Sequence, residues 1–353
     1  MIRRGWILVT DGGSGQGRSA LAAVRALGAG GYPVAVTTSG RHSLAAASRF
    51  CSRRVEVPPV AELSRYKQAV LKETRSRPYL AVMATSDASL LALGEPVRHL
   101  VDKVKLADRA QKVGLDVPPT QRFKTPVDLL EVTREFPYPI VVKPAVSRWP
   151  AACVASDRQL AEIAARADGP VLIQPFLREN MRAVCGVIWE GRLLAASHQR
   201  YYRTWPTACG TASAAETTEP DLELEERLVE LLWGYSGIFQ AQLAAGKLLD
   251  LNARPYGSMP LAVQAGANLP VVYCDSLHGV EHSQTVRAQP GVFYRWVEGD
   301  LRNLLEAVRG RDLRLSDALR ALRPHRGAAH STESLGDPRP TLARLAYALR
   351  RAA

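Results

Sequence analysis

Lysine is scarce in this chain of 353 residues, with 8 lysines against 38 arginines. Asp and Glu together number 34, so the formal net charge is +12 at pH 7. Such an excess favours polyanionic partners, either nucleic acid or phosphorylated small molecules. The basic residues are spread along the chain, however, and no basic run is interleaved with aromatic residues as in a nucleic-acid groove. We therefore expect small-molecule partners and no nucleic acid.

Cysteine and long apolar runs are also lacking. The five cysteines are scattered and form no C-x-x-C pair, which argues against a disulfide framework and against a cysteine zinc site. No apolar stretch approaches the roughly 18–20 residues of a membrane span. The apolar run near the N-terminus is shorter than the about 7–15 residues of a signal-peptide core. We expect a cytoplasmic protein that does not bind membranes.

The hydrophobic pattern predicts an α/β protein that begins with a doubly wound, Rossmann-like domain. Apolar runs at Trp6–Thr10 and Tyr32–Thr37 flank an alanine- and leucine-rich segment, Ser19–Ala29. Strand, helix and strand with short connections are typical of a parallel sheet. A further helix and strand between residues 60 and 84 continue the alternation. We assign residues 1–100 to this domain.

The remainder of the chain mixes strands and helices. Glu190–Gly191 and Gly246 each lie between two apolar runs, which predicts two β-hairpins. From about Leu301 the pattern is helical, with breaks at Pro324 and at 337–340.

A glycine-rich segment follows the first strand and opens the first helix. Its residues, 12–19, are close to the P-loop pattern G-x-x-x-x-G-K-[ST], in which backbone N–H groups cradle a phosphate. Arg18 stands where that pattern needs a lysine, and arginine does not replace the lysine's point charge. We interpret the segment as the first turn of a nucleotide-fold-like domain without catalytic duty.

A second motif, His278-Gly-Val-Glu281-His282, fits the zinc-peptidase pattern H-x-x-E-H. The two histidines would need to share one face of a helix, and Gly279 stands inside that helix. No third ligand follows downstream. The alternative interpretation, a surface loop that contains histidines, is favoured.

A distributed set of residues carries a stronger signal. The scarce residues Lys103 and Lys143 both stand at element boundaries, where they can meet phosphates. Asp250, Asn252 and Arg254 alternate, so they share one face of a strand. A carboxylate and an amide oxygen suit Mg²⁺, and a neighbouring arginine suits phosphate charge.

In the order of these motifs the sequence resembles the ATP-grasp superfamily, and within it the carbamoyl-phosphate-synthetase-like carboxylate–amine ligases. DKVKLADRAQKVGLDVPPT resembles the helix that begins with Asp-Lys in that family, and PIVVKP resembles its phosphate-lysine strand. LLDLNARPYGS resembles its metal strand, E-x-N-x-R, and GANLPVVYCDSLHG, FYRWVEGDL and DPRP resemble the tail of the carboligase subgroup. The resemblance covers nearly the whole chain.

The resemblance implies an α/β architecture of four parts. A pre-ATP-grasp, Rossmann-like domain is followed by a two-lobed α+β ATP-grasp domain and a helical C-terminal tail. The implied boundaries are 1–100 for the first domain, 101–182 for the small lobe, 183–290 for the large lobe with the metal site, and 291–353 for the tail.

The resemblance also implies a nucleotide site. Lys103 and Lys143 would contact the ATP phosphates. Adenine would lie against the strand end, with its amino group held by Gln174 and the Pro175 carbonyl. The other residues implied around the nucleoside are Phe176, Leu177, whose amide would meet adenine N1, and Glu179, which would hold the ribose.

For the reacting end, the resemblance implies that Gln242, Asp250 and Asn252 bind Mg²⁺. Arg254, with Arg200, would steady the transferred phosphoryl group. His198, Tyr201 and Tyr202 flank Arg200 and are candidates for lining an acceptor pocket, with packing or surface roles as the alternative.

The implied reaction phosphorylates a carboxylate with ATP, after which an amine or similar nucleophile attacks the acyl phosphate and releases phosphate. A homodimer is an open option. Asp250 replaces the family's usual glutamate, Gln242 stands where many members have an acid, and the segment after Lys143 lacks glycine. These departures keep a second function open: an ATP-binding module without catalysis, with a regulatory or partner-binding role.

Overall fold

The N-terminal part of the chain forms a four-stranded parallel sheet with the order β3-β2-β1-β4. The protein is represented by a computed structural model that describes residues 4–11, 17–40, 42–94, 97–131, 136–177 and 179–352. The elements of this part are β1 (Trp6–Thr10), α1 (Arg18–Ala29), β2 (Val34–Thr38), α2 (Leu44–Ala47), β3 (Cys51–Glu56), α3 (Leu63–Ser76) and β4 (Tyr79–Met83). The central strands are apolar on both faces because helices cover both, which confirms the predicted alternation of strand and helix.

Three short helices lead from this sheet to a second, antiparallel one. They are α4 (Asp87–Leu93), α5 (Arg98–Val101) and α6 (Lys103–Lys112). The second sheet has the order β5-β8-β6-β7. Its elements are β5 (Gln121–Phe123), α7 (Asp128–Glu131), β6 (Ile140–Pro144), β7 (Ala152–Val154), α8 (Asp157–Ala164) and β8 (Val171–Pro175). Alternate residues of β6 and β8 pack with α8 into a separate small core.

The third sheet has eight strands, seven of them in the order β13-β12-β9-β10-β11-β15-β16, with β14 paired to β10. Its strands are β9 (Arg182–Trp189), β10 (Arg192–Trp205), β11 (Thr211–Thr218), β12 (Gly237–Ala244), β13 (Lys247–Asn252), β14 (Val286–Arg287), β15 (Phe293–Arg295) and β16 (Ala329–His330). Its helices are α9 (Leu222–Leu231), α10 (Met259–Gln264), α11 (Leu269–Leu277), α12 (Val297–Arg309), α13 (Leu315–Ala321) and α14 (Arg339–Ala352). Both predicted hairpins are present.

The C-terminal tail differs from the helical segment that the sequence predicts. Besides three helices it contributes β15 and β16, and β15 pairs with β11 of the third sheet. Strands of two or three residues are too short to show a period of two, so the sequence pattern cannot reveal them.

The first and third sheets share one hydrophobic core. Residues of β1 and α1 pack in the same cluster as residues of β9, α10 and α11. The tail is tied to the first domain by Asp337, which accepts hydrogen bonds from Arg25 Nε at 2.9 Å, Ser48 Oγ at 2.6 Å and Arg49 N at 2.9 Å. In the part of the chain that is described, no helix has the length and apolar character needed to cross a membrane.

Candidate active site

The hairpin of β12 and β13 brings the three predicted metal ligands together. Its turn residues, Ala245 and Gly246, both have positive φ, at 48° and 76°, which is the conformation of a tight two-residue hairpin turn. The resulting register sets Gln242 opposite Asp250. Asn252 follows Asp250 by two residues, so its side chain lies on the same face of the sheet.

This face carries a further glutamine that the sequence did not single out. Gln240 lies opposite Asn252, and Asn252 Nδ2 donates to Gln240 Oε1 at 3.2 Å. The hydroxyl of Tyr201 accepts from Gln240 Nε2 at 3.3 Å and from Gln242 Nε2 at 3.4 Å. The alternation Gln240-Ala-Gln242 was the available signal, since a period of two places both glutamines on one side.

The two predicted phosphate lysines converge on β13 from different elements. Lys103 is the first residue of α6, and its Nζ lies 3.3 Å from Asp250 Oδ1. Lys143 lies in β6, and its Nζ donates to the carbonyl of Leu249 at 2.9 Å. Both lysine side chains are buried. Residues separated by more than 100 positions in sequence therefore form one cluster.

The segment after Lys143 holds Lys103 in place. Lys103 N donates to the carbonyl of Ala145 at 2.9 Å, and Lys103 Nζ donates to Ser147 Oγ at 2.9 Å. Asp102 caps α6 by accepting from the backbone N–H of Val104. The glycine-free segment thus supplies a hydroxyl beside the two lysines.

Burial and charge together set the protonation of this cluster. The pKa of Lys143 is lowered to about 8, chiefly by burial. The Asp250 carboxylate opposes this change, and the charge of Lys103 adds to it. Burial acts to raise the pKa of Asp250, but the positive charges of Lys103 and Lys143 outweigh it and hold that pKa below its ordinary value. Two cations around one carboxylate leave a net positive charge, which favours an incoming anion.

Arg254 joins the cluster through a residue of the first domain. Its Nη2 donates to Asn252 Oδ1 at 2.6 Å and its Nε donates to Asp87 Oδ1 at 2.6 Å. Asp87 lies in the first turn of α4 and is buried. No local pattern indicates this partner, because the pair is 167 positions apart.

Arg200 does not lie in this cluster, which corrects the expectation that it accompanies Arg254. Its guanidinium donates to Glu216 Oε2 at 2.6 Å and 3.1 Å, and its side chain is 57% exposed. Tyr201, the next residue of β10, contacts Gln240, so Arg200 points to the opposite face of the sheet. Tyr202 donates to the same Glu216 oxygen at 2.6 Å.

The predicted nucleoside residues lie at the end of β8 and just beyond it. Gln174 is buried, and its Nε2 donates to Thr120 Oγ1 at 2.8 Å, which leaves its oxygen as an acceptor. Pro175, Phe176 and Leu177 are half-buried. The exposed Glu179 accepts a hydrogen bond at its carbonyl from Ala245 N at 2.8 Å. This segment therefore connects the second sheet to the hairpin that carries Asp250.

The tip of the β10–β11 hairpin reaches the second sheet beside Lys143. There the thiol of Cys209 hydrogen-bonds with that of Cys153 in β7. Burial raises the pKa of Cys209 to about 12, so the thiol is protonated at neutral pH. Nothing in the spacing of the cysteines indicates this contact between the two sheets.

Neither alternative motif gains support as a catalytic site. Residues 12–16 of the glycine-rich segment lie outside the described residues. His278 follows the end of α11 and accepts from Gly5 N at 3.2 Å, and the residues after it form no helix. Among the described residues, no group of three or more His, Cys, Asp or Glu side chains could hold a metal ion.

The fold is shared with several solved ligase structures. An N5-carboxyaminoimidazole synthetase from Staphylococcus aureus complexed with ADP superposes with a TM-score of 0.63 at 11% identity, over 88% of this chain and 87% of that one. A carboxyaminoimidazole ribonucleotide synthase from Aspergillus clavatus complexed with ATP gives 0.62 at 14% identity, over 82% and 81%. An L-amino acid ligase from Bacillus licheniformis gives 0.59 at 16% identity, over 78% and 75%.

No protein-family model and no curated protein matches the sequence. The structural neighbours are ATP-grasp ligases, as the motif order predicts. This chain therefore has the ATP-grasp fold.

Proposed function

We propose that the protein is an ATP-dependent ligase that activates a carboxylate as an acyl phosphate for attack by an amine or similar nucleophile. One observation carries the proposal: Lys103 and Lys143, from two separate elements, meet at the strand that bears Asp250. Buried lysines are costly unless a function or a partner retains them. The negatively charged phosphates of a nucleoside triphosphate would be that partner.

In the proposed reaction, an oxygen of the substrate carboxylate attacks the γ-phosphorus of ATP, and ADP leaves. The nucleophile then attacks the carbonyl carbon of the acyl phosphate, loses a proton and displaces phosphate. Lys103 and Lys143 would hold the phosphates, and Arg254, kept in place by Asp87, would stabilise charge on the transferred group.

The oxygens of Gln242, Asp250 and Asn252 suit a hard divalent cation such as Mg²⁺. The carboxylate of Asp250 is 27% exposed, so an ion could reach it from solvent. Bound there, Mg²⁺ would neutralise phosphate charge. At the other end of the nucleotide, Gln174, the Pro175 carbonyl and the Leu177 amide would hold adenine, with Phe176 beside it and Glu179 at the ribose.

A second function is favoured by specific features. Lys103 already pairs with Asp250, and Gln242 removes one negative ligand relative to an acid. These features fit a module that binds ATP without transferring its phosphate. Product formation distinguishes the two functions, because both include nucleotide binding.

The test is an analysis of nucleotide products. The purified protein is incubated with ATP·Mg²⁺ and pooled amino acids and small carboxylates. ADP and phosphate that depend on the pool, and are lost in Lys143→Ala, would support the ligase. Lys105→Ala is the matched control, because Lys105 is exposed on the same helix as Lys103.

Two other outcomes contradict the ligase. AMP and pyrophosphate would indicate adenylation instead of phosphorylation. ATP binding without turnover across broad pools would favour the silent module. Size-exclusion chromatography of the same sample tests the homodimer.

A further inference from the structure

Arg18, the arginine of the glycine-rich motif, has no role in the proposed nucleotide site. It opens α1 in the first domain, yet its side chain reaches the third sheet. Its Nη2 donates to Thr211 Oγ1 at 2.6 Å, and its Nη1 lies 3.4 Å from the Tyr294 hydroxyl. Its guanidinium carbon lies 3.7 Å from the ring centroid of Trp296. These partners are all neutral.

The charge of Arg18 is not balanced by a carboxylate of its own. Within the described ranges, its bonding partners include no acid. Its charge acts on Glu298, whose pKa is lowered first by a hydrogen bond from Arg344. Glu298 already pairs with Arg344 at 2.6 Å and with Arg302 at 2.8 Å. Glu298 therefore forms its ion pairs with two other arginines, and Arg18 has no carboxylate to itself among its described partners.

The surroundings of Arg18 favour recognition of a planar anion. A guanidinium stacked on an aromatic ring is held flat while its edge donors stay directed outward. Such an edge matches a carboxylate in a two-point contact. The neutral hydroxyls of Thr211 and Tyr294 orient the group without cancelling its charge.

A chain of mostly buried polar contacts runs from Arg18 to the strand β13. A Cβ placed on Gly257 would lie 3.2 Å from the Arg18 guanidinium, so the turn that follows β13 runs directly beside it. Tyr294 donates to the carbonyl of Gly257 at 3.1 Å. The next residue, Ser258, accepts from Gln240 Nε2 at 3.4 Å, and Gln240 contacts Asn252.

We propose that Arg18, held in place by Thr211 and Tyr294, binds a second carboxylate of the substrates, distinct from the one that is activated. This assignment rests on the proposed ligase function and names its substrate class. That class is an amino acid, whose α-carboxylate would bind Arg18 while its amine attacks, or a dicarboxylic acid, whose remote carboxylate would bind there. In both substrate classes, a carboxylate that takes no part in the reaction would bind to Arg18.

The test measures binding rather than turnover. Isothermal titration of the full chain, saturated with a non-hydrolysable ATP analogue and Mg²⁺, uses four separate probes: L-alanine, L-glutamate, succinate and inorganic phosphate. We expect a carboxylate probe to bind, and Arg18→Met to weaken it by about 10-fold or more, as for loss of a charge-assisted hydrogen bond. Affinity for the ATP analogue should stay within about twofold, because Arg18 does not contact the lysine cluster.

Two further variants keep the test decisive. Arg18→Lys retains the charge but loses the planar edge, and should recover only part of the affinity. Arg75→Met changes an exposed arginine on α3 of the same domain and should leave all binding intact. Preference for L-alanine identifies an amino acid at Arg18, and preference for succinate identifies a dicarboxylate.

The failures of the two proposals are distinguishable. Unchanged probe affinity in Arg18→Met, no probe binding to the wild type, or a preference for phosphate overturns the carboxylate site while ATP binding stands. Absence of ATP-analogue binding in the wild type overturns the ligase itself.

Discussion

Two aspartates of this protein each lie between two basic residues, and the two clusters are bonded differently. Asp300 pairs with Arg203, whose Nε and Nη2 donate to its two oxygens at 2.6 Å and 3.1 Å, and with Arg295 at 3.1 Å. Asp250 pairs with Lys103 at 3.3 Å and lies beside Lys143. The Asp300 side chain is 0% exposed, whereas that of Asp250 is 27% exposed.

The partners of the basic residues sharpen the difference. Arg295 also donates to the carbonyls of Ala321 and Leu322 at the end of α13, so its cluster joins β10, β15, α12 and α13. Lys143 has a single hydrogen bond, to Leu249, in the part of the chain that is described. The two arginines bind several elements of the fold to one another, whereas Lys143 keeps hydrogen-bonding capacity for an anion. Although the chain has only 8 lysines, two of them lie at the candidate site.

The largest effect that would separate the clusters is on stability. Asp300→Ala leaves the buried Arg295 and the half-buried Arg203 without their carboxylate, and we expect a loss of about 3–5 kcal/mol in the free energy of unfolding. Chemical denaturation measures it. Asp317→Ala is the control, because Asp317 pairs with Arg320 on the surface, where a pair contributes at most about 1 kcal/mol. Equal losses in the two variants would contradict a structural role for the Asp300 cluster.

The lysine cluster should respond in activity instead. Lys143→Ala and Asp250→Ala would remove the proposed charged contacts to phosphate and metal, and we expect each to lower turnover by on the order of 100-fold or more. Circular dichroism and thermal unfolding should show that both variants remain folded. Wild-type rates in both variants would show that the cluster is not the reacting site.

The shared face of the predicted metal ligands could be predicted from local features of the sequence. Alternation in β13 and the hairpin turn at Gly246 are short-range features, so the shared face of Asp250 and Asn252 follows from them. Arg200 was assigned to the site by the family resemblance alone. Its neighbour Tyr201 contacts Gln240, so the alternation of β10 turns Arg200 to the other face, where it pairs with Glu216.

Long-range partners could not be predicted. Asp87 reaches Arg254 across 167 positions, and Arg18 reaches Thr211 across 193 positions. Neither contact leaves a periodic trace in the sequence, because both depend on how separate elements pack. The strands β15 and β16 were missed for a different reason, their length.

Protonation offers a finer test of the lysine cluster. With its pKa lowered to about 8, the Lys143 side chain is uncharged in about half of the molecules at pH 8. Phosphate would favour the charged form, so nucleotide binding at pH 8 should take up about half a proton. Titration calorimetry in buffers of different ionisation enthalpy measures this uptake, and Lys143→Ala should abolish it. Equal uptake in the variant would assign the proton to another group.

The same lowered pKa fixes the sign of a stability effect. Above pH 8 the folded chain loses the Lys143 proton, while the unfolded chain keeps it up to the ordinary lysine range. Because the unfolded state then binds more protons, the contribution of Lys143 to the free energy of unfolding becomes more favourable as pH rises from about 8 towards 10. The difference between wild type and Lys143→Ala should therefore shift in favour of the wild type over that window.

The smallest expected effect belongs to the exposed pair on the opposite face of the sheet. Arg200→Gln removes an ion pair with Glu216 in which the arginine is 57% exposed, so we expect a stability change of at most about 1 kcal/mol and turnover within about twofold of wild type. Initial rates at saturating ATP and chemical denaturation check both values. Arg254→Gln is the contrast, since Arg254 contacts Asn252 and should lose turnover as strongly as Lys143→Ala. A loss in Arg200→Gln as large as that in Arg254→Gln would mean that β10 turns Arg200 toward the reacting face when substrates bind, and would return this residue to the site that the sequence predicted.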